Sequence, residues 1–431
     1  MIESITFRNL LSIRGEQIIS FAASKDDTKD KDNVVKMNGG TRLLRAAFLY
    51  GNNDTGKSNV TKLIENFVKL MTLAPTDRKE IEVKPFKFEA VNKNLASMVS
   101  ITFYIEKEKY VLVAEFDNDK FHTEKLLYYH SRKPFKLLIR SYKKFSKDSD
   151  GSLYSGELVF EVGNIPGLSQ KDKNAILVHV QDNCSILAAY GKSNVHCEWQ
   201  QRVYDYFSNR FPDRFTSVKT MTEYARNLLL NDPKGKAKRF LEHLLVLGGL
   251  EKCHLSVRTI ENAPRIVFTY RKFGLIVDIP ENDEAKGKLR FLGMSSWLYR
   301  QIESPTFVML DGIDKELHPD ICAFFYHAFL HNCQKESQLL FTTHSFSLLD
   351  QGFIRRDILW ETKMGNHFDT ILTPMKDFRI PKGNSLTNAY KQGKVGEHPK
   401  IGDFRLNLKK LGFKVKEEKK ESSEIQEKID A

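Results

Sequence analysis

Polarity alternates at the start of the chain. Ser4 to Asn9 and Gln17 to Phe21 each read as a strand, and the turn that holds Gly15 predicts an antiparallel pair. Ala22 to Gly40 is polar and rich in Lys and Asp, and reads as a mobile loop. Leu43 to Tyr50 is an apolar run, the mark of a buried strand. The pattern then becomes helical: Val60, Leu63, Ile64, Phe67, Val68 and Met71 share one face of a helix that gives out near Thr72 to Pro75. From Ile81 to about Phe160 alternation returns. Val99 to Ile105 and Tyr110 to Phe116 read as a hairpin, continued by Thr123 to Tyr129 and Lys136 to Tyr142, so an antiparallel sheet is expected. Gln181 to Gly249 is helical again. Tyr204, Phe207 and Phe211 share one face, Phe240, Leu241, Leu244, Leu245 and Leu247 another, and Gly248-Gly249 signals the end.

The last third combines strands with helices. His254 to Val257, Arg265 to Tyr270 and Leu275 to Ile279 read as strands. Pro305 to Asp311 is an apolar run ending in a carboxylate, as expected of a strand buried on both faces in a parallel sheet. Pro319 opens a helix, and Gln338 to His344 and Asp357 to Glu361 are further buried strands. Such alternation implies right-handed crossovers and a ligand site at the carboxyl ends of the strands. The expected division is a core half at 1–180 with an antiparallel lobe, a helical insertion at 181–250, a second core half at 251–408 and a charged, disordered tail at 409–431.

Composition changes this picture little. The chain has 431 residues, 41% of them hydrophobic, enough for a sizeable core. No apolar run approaches a membrane span and the start lacks a secretory pattern. Cys184, Cys197, Cys253, Cys322 and Cys333 are scattered and form no C-x-x-C pair, so reduced thiols in a cytoplasmic protein are expected, without structural zinc. The net charge of +12 suits an acidic partner, nucleic acid or plain solubility. Arg132, Lys133, Lys136, Arg140, Lys143, Lys144 and Lys147 alternate with Phe135, Tyr142 and Phe145, a pattern that can follow a phosphate backbone. The solvated face of a hairpin is the favoured reading.

The chemistry begins after the first apolar run. Gly51-Asn52-Asn53-Asp54-Thr55-Gly56-Lys57-Ser58, followed by Asn59, is a complete G-x-x-x-x-G-K-S phosphate loop between a strand and a helix. Its glycines let successive N–H groups point inward, and the helix start favours an anion. Lys57 is assigned to the outer phosphates of ATP and the Ser58 hydroxyl to Mg2+. Asp311, at the end of a parallel strand, is a second candidate for the metal. His344, at the end of the next strand, is a candidate for the γ-phosphate or the attacking water.

With these residues in place the chain resembles ABC-type ATPases of the SMC, RecF and OLD-type branch. More closely, it is similar to the ATP-binding proteins of bacterial abortive-infection and anti-phage operons, including the ATPase of PARIS-type systems. The resemblance runs from Met1 to about Phe404. It is carried by Ile5-Thr6-Phe7-Arg8-Asn9, the phosphate loop, Pro85-Phe86-Lys87-Phe88, Leu310 to Pro319, Thr342 to Ser345 and Tyr390 to Pro399. It implies an α/β ABC-type head with a mixed sheet core, an antiparallel lobe and a helical insertion. It also implies ATP bound between two subunits of a homodimer or higher assembly.

Two departures bear on turnover. The family places Asp-Glu at the end of the Asp311 strand, the Glu serving as base for water. Here Gly312 follows Asp311, and loss of a positioned base costs about 10²–10⁴ in rate. The family also places a Ser-x-Gly-Thr-like turn at a helix start, touching the γ-phosphate held by the other subunit. The stretch aligned with it is Phe291 to Ser296, in which only Gly293 matches, with Ser295 and Ser296 as substitutes for the lost hydroxyl. No Gln can be assigned to the magnesium-contacting loop, and Glu316 is a distant candidate for a replacement base. The resemblance thus implies an ATP-binding sensor or scaffold with slow or absent hydrolysis. It would hold a separate effector, a nuclease or toxin from an adjacent gene. The chain has no H-N-H pattern and no carboxylate cluster for two metals, so the toxic chemistry falls to the partner. The alternative is a RecF- or SMC-like clamp acting on DNA.

Overall fold

The computed structural model describes residues 1–73, 84–89, 95–130, 133–142, 146–147, 153–155, 158–162, 168–211, 217–345, 348–378 and 385–392. Outside them lie the charged tail, residues 393–399 of the segment from Tyr390, and Arg132, Lys143, Lys144 and Phe145 of the basic stretch. Residues 1–397 make one compact unit.

β1 (Ile2–Arg8) and β2 (Gln17–Ser20) open the chain as the expected antiparallel pair, with Ile5 opposite Ile19. The polar stretch after them carries regular structure. α1 (Asp30–Asn33) leads into β3 (Val34–Lys36), which pairs with β4 (Arg42–Leu44). The apolar run from Leu43 is therefore two strands, parted at Arg45, and only β5 (Ala46–Tyr50) enters the core sheet. Arg45 is fully buried, and its terminal nitrogens donate to the carbonyls of Asp32, Phe329, Leu330, Cys333 and Gln334. A guanidinium is tolerated inside when its donors meet such acceptors. α2 (Lys57–Thr72) then buries the apolar face read from its period.

β6 (Ser97–Ile105), β7 (Glu108–Phe116), β8 (Phe121–Tyr129) and β9 (Phe135–Tyr142) form the expected meander. β10 (Ser146–Lys147) and β11 (Leu153–Ser155) pair with each other, and β12 (Leu158–Val162) returns to β9. The result is a seven-stranded antiparallel sheet in the order β12-β9-β8-β7-β6-β1-β2, so the lobe enlists the first two strands of the chain. Arg140, expected on a basic face, is instead fully buried. It donates to the carbonyls of Gln181, Asp182 and Cys184 and ties the sheet to the helical region. Lys133 and Lys136 stay exposed.

The helices are α3 (Gln170–Leu177), α4 (Ile186–Lys192), α5 (Glu198–Arg210), α6 (Val218–Leu230) and α7 (Lys236–Leu247). Phe103 of β6 stacks on Tyr206 and meets Phe207 edge-on, which seats α5 on the lobe. β13 (His254–Ile260), β14 (Ala263–Lys272) and β15 (Leu275–Pro280) make a separate three-stranded sheet. α8 (Lys286–Glu303) is buried along most of its length and packs against α6 and α7.

The core sheet is completed by β16 (Phe307–Leu310), α9 (Pro319–Asn332), β17 (Gln338–Thr343), β18 (Leu359–Met364) and β19 (Thr370–Pro374), and α10 (Leu386–Lys391) follows. Its order is β16-β17-β5-β18-β19. The first four strands are parallel and β19 runs antiparallel. Parallel β16, β17 and β5 end at one edge, so Asp311, His344 and the phosphate loop emerge side by side.

Candidate functional site

The loop after β5 wraps the start of α2. Lys57 folds back and its Nζ donates to the carbonyls of Gly51 at 2.8 Å and Asn52 at 2.6 Å. Gly56 caps α2 at φ 93°, a left-handed conformation that glycine adopts without strain. A Cβ there would fall 1.9 Å from Thr370 Oγ1, and one on Gly51 would fall 2.2 Å from Thr362 Oγ1. The glycines are therefore required from behind by β18 and β19. Thr55 Oγ1 lies 2.6 Å from Thr362 Oγ1, and Thr370 Oγ1 donates to the Thr55 carbonyl. Asn59 Nδ2 donates to Ser12 Oγ, itself 2.7 Å from Thr370 Oγ1.

Ser58 and Asp311, the two residues expected from sequence to hold a metal, lie side by side. Ser58 Oγ donates to Asp311 Oδ1 at 3.0 Å, across 253 residues of chain. Thr342 of β17 donates to the same oxygen at 2.7 Å and accepts from Gly312 N–H, which holds the carboxylate in place. Both candidate ligands are oxygens, the donor type that magnesium takes, so these residues fit the ion. Gly312 has φ 69°, a turn that suits glycine. Buried Arg290 of α8 donates to the carbonyls of Asp311 and Gly312 and to the Glu316 carboxylate. Glu316 is thereby paired with Arg290 and is not among the residues that line the pocket at the phosphate loop.

His344 N–H donates to Asp314 Oδ2 at 3.0 Å. Its imidazole keeps part of its surface open, yet desolvation, then the nearby Lys57 charge, holds its pKa below the usual value, against Asp314 and a bond to the Gly51 backbone. Neutral at pH 7, it is suited to hydrogen bonding at a phosphate or a water. Desolvation likewise lowers Lys57 to about 8, against the pull of Asp311, Asp314 and Asp54. The pocket so formed has a volume of about 560 Å³ and is lined by Asn53, Asp54, Gly56, Lys57, Ser58, Asn59, Asp311, Gly312, Lys315, Thr342 and His344.

Gly293 is not brought to this pocket. It lies in the middle of α8, buried, and a Cβ on it would fall 2.4 Å from Met221 Cβ. Its role is to let α8 approach α6 closely. Ser295 and Ser296 donate to the carbonyls of Phe291 and Leu292 within the helix and present no free hydroxyl. The helix begins at Lys286, so the place of a Ser-x-Gly-Thr turn is taken by Ala285-Lys286-Gly287-Lys288. Gly287 is the glycine at that start, pressed against the Glu316 carbonyl.

Residues 193–350, less than half of the chain, match a family model described as "AAA domain, putative AbiEii toxin, Type IV TA system". No curated protein matches the chain. Among solved structures it is similar to an SMC head domain from Thermotoga maritima, at 13% identity over 86% of this chain and 98% of that one, with TM-score 0.41. It is similar to an SMC head bound to the C-terminal winged-helix domain of ScpA, at 13% identity over 90% and 99%, with TM-score 0.41. A third is an SMC head with an extended coiled coil bound to the C-terminal domain of ScpA derived from Pyrococcus furiosus, at 13% identity over 91% and 98%, with TM-score 0.39.

Sequence reasoning missed Ser12, Thr362 and Thr370 behind the loop, Arg290 under Asp311, and Lys315 at the pocket wall. Of these only Lys315 had a local signal, its place within Leu310 to Pro319. The others come from elements far away in the chain. Among the described residues no helix is long and apolar enough to cross a membrane. The five cysteines are buried and none is joined in a disulfide.

Proposed function

We propose that this chain is a magnesium-dependent ATP-binding protein of ABC type that works as a switch, with hydrolysis slow or absent. The observation that carries this reading is the meeting of Ser58 and Asp311 at 3.0 Å beside Lys57. Backbone amides and Lys57 bind the phosphates, and Ser58 and Asp311 hold the metal, which neutralises phosphate charge. His344 contacts the outer phosphate or its water. Gly312 offers no carboxylate to take a proton from that water, and Arg290 occupies Glu316.

A ligand that dwells in its pocket favours whichever assembly binds it more tightly. In this reading ATP stabilises a homodimer or higher assembly that retains a separate effector, a nuclease or toxin from an adjacent gene, in the bacterial cytoplasm. The resemblance to abortive-infection and PARIS-type ATPases supports that role, and the description of the family matched over 193–350 points the same way.

Calorimetry of the purified chain with Mg-ATP tests the first half: saturable binding with little phosphate release is expected, and no heat of binding would end the proposal. Co-expression with the neighbouring gene tests the second. A stable complex whose mass depends on ATP is expected. Tight, ATP-stimulated and salt-sensitive binding of duplex DNA by the chain alone would replace it with a RecF- or SMC-like clamp.

A further inference from the structure

We infer that Lys315 is a second phosphate-binding cation of this pocket, directed at the terminal phosphate of a nucleoside triphosphate and supplied by the same subunit as the phosphate loop. The inference rests on the nucleotide reading above and deepens it: it names the group that tells a triphosphate from a diphosphate.

The geometry starts at Gly312. A Cβ built there would fall 2.5 Å from Lys315 Cε, 2.8 Å from Cδ and 3.0 Å from Cγ. The lysine stem therefore lies across the bare face of the glycine. The turn is set by Lys315 N–H donating to the Gly312 carbonyl at 3.1 Å. It is braced from below by Arg290, which holds the carbonyls of Asp311 and Gly312. Lys315 lines the same cavity as Lys57, Ser58, Asp311 and His344. A glutamate at 312 would collide with this stem. Glycine and lysine together remove an anion from the phosphate end of the pocket and add a cation.

Of the nearby acids, Asp311 accepts from Ser58 and Thr342, and Glu316 from Arg290. Asp314 Oδ2 accepts from His344 N–H while its Oδ1 is buried without a hydrogen-bond partner among the described residues, and Asp54 lines the pocket beside Lys57. Among the described residues no side-chain hydrogen bond or ion pair is made by Lys315. Its charge is felt at both Lys57 and His344, where it opposes protonation. Two cations facing one concave wall repel each other until an anion enters, and a charge placed in advance costs no reorganisation when the phosphate arrives. Lys57 reaches the phosphates from the loop side and Lys315 from the Asp311 side.

The test uses the full-length chain with magnesium and two probes, the β,γ-imido analogue of ATP and ADP, titrated by calorimetry. Lys315→Gln keeps most of the stem over Gly312 and removes the charge. It is expected to weaken the triphosphate analogue roughly 10- to 100-fold while ADP stays within about twofold, and Lys315→Arg should restore most of the loss. Equal weakening of both nucleotides, or of neither, overturns the role of Lys315 and leaves the nucleotide site standing. Failure of the unaltered chain to bind either probe overturns the nucleotide reading itself.

Discussion

The carboxyl edge of the core sheet and the start of α8 are the two places where the resemblance to ABC-type ATPases leads one to expect groups that read phosphate, and the structure treats them differently. At the sheet edge, Lys57, Ser58, Asp311, Thr342 and His344 converge from three neighbouring strands, each oriented by a partner. At the start of α8 the hydroxyl positions are held by Ala285 and Lys288. Lys288 is buried, and its ammonium donates to the Tyr270 hydroxyl at 2.7 Å and to the Glu251 carbonyl at 3.2 Å. The first turn of α8 is thus spent on holding the three-stranded sheet. The pocket at the sheet edge is lined by residues whose side chains are positioned around it, while the first turn of α8 is given to internal packing.

The sharpest way to break this contrast is Lys57→Ala. Removing the charge-assisted bonds to phosphate is expected to lower Mg-ATP affinity by about 100-fold or more with the fold retained, as read by calorimetry and circular dichroism. Unchanged affinity would move the site away from the sheet edge. Gly293→Val comes next. Its side chain would press into Met221, and a loss of about 1–3 kcal/mol is expected in denaturant unfolding, with nucleotide affinity unchanged. Lower affinity at unchanged stability would return Gly293 to the ligand.

Gly312→Glu sharpens the comparison from the other side. An L-residue at φ 69° is expected to lose about 1–2 kcal/mol of stability. The variant also puts a carboxylate beside Asp311, and ATP turnover is expected to rise. Turnover that stayed flat would remove the missing base as the reason for slow hydrolysis.

The smallest effect is one of pH. Burial holds the Lys57 ammonium at about 8 in the free pocket, and a bound phosphate favours the charged form. The bound state then keeps its proton to higher pH than the free state. Affinity is expected to be level below pH 8 and to fall by roughly tenfold per unit above it, until the bound-state value is reached. A level profile through pH 9 would mean that Lys57 carries no linked proton.

The residues that could be read one stretch at a time were the ones whose chemistry is local. A loop of fixed spacing between an apolar run and a 3.6-residue period announces itself, and so do apolar strands that end in Asp311 and His344. The antiparallel meander was legible for the same reason. The start of α8 was not. Its N-cap, Ala285, makes no side-chain capping bond, so nothing in the residue types marks where the helix begins, and the one glycine matching the expected turn was mid-helix Gly293. Arg140 looked like surface charge because the carbonyls it serves lie on a turn more than forty residues away.

By itself, then, the order of residues determined that a G-x-x-x-x-G-K-S loop, an aspartate and a histidine would sit at strand ends. Only the folded chain decided which neighbours back them: Ser12, Thr362 and Thr370 behind the loop, Arg290 beneath Asp311, and Lys315 over Gly312. The physical reason is range. Periodicity and turn chemistry act over a few residues, whereas burying a guanidinium or bringing a threonine hydroxyl against a glycine depends on strands and helices that meet after hundreds of residues of intervening chain.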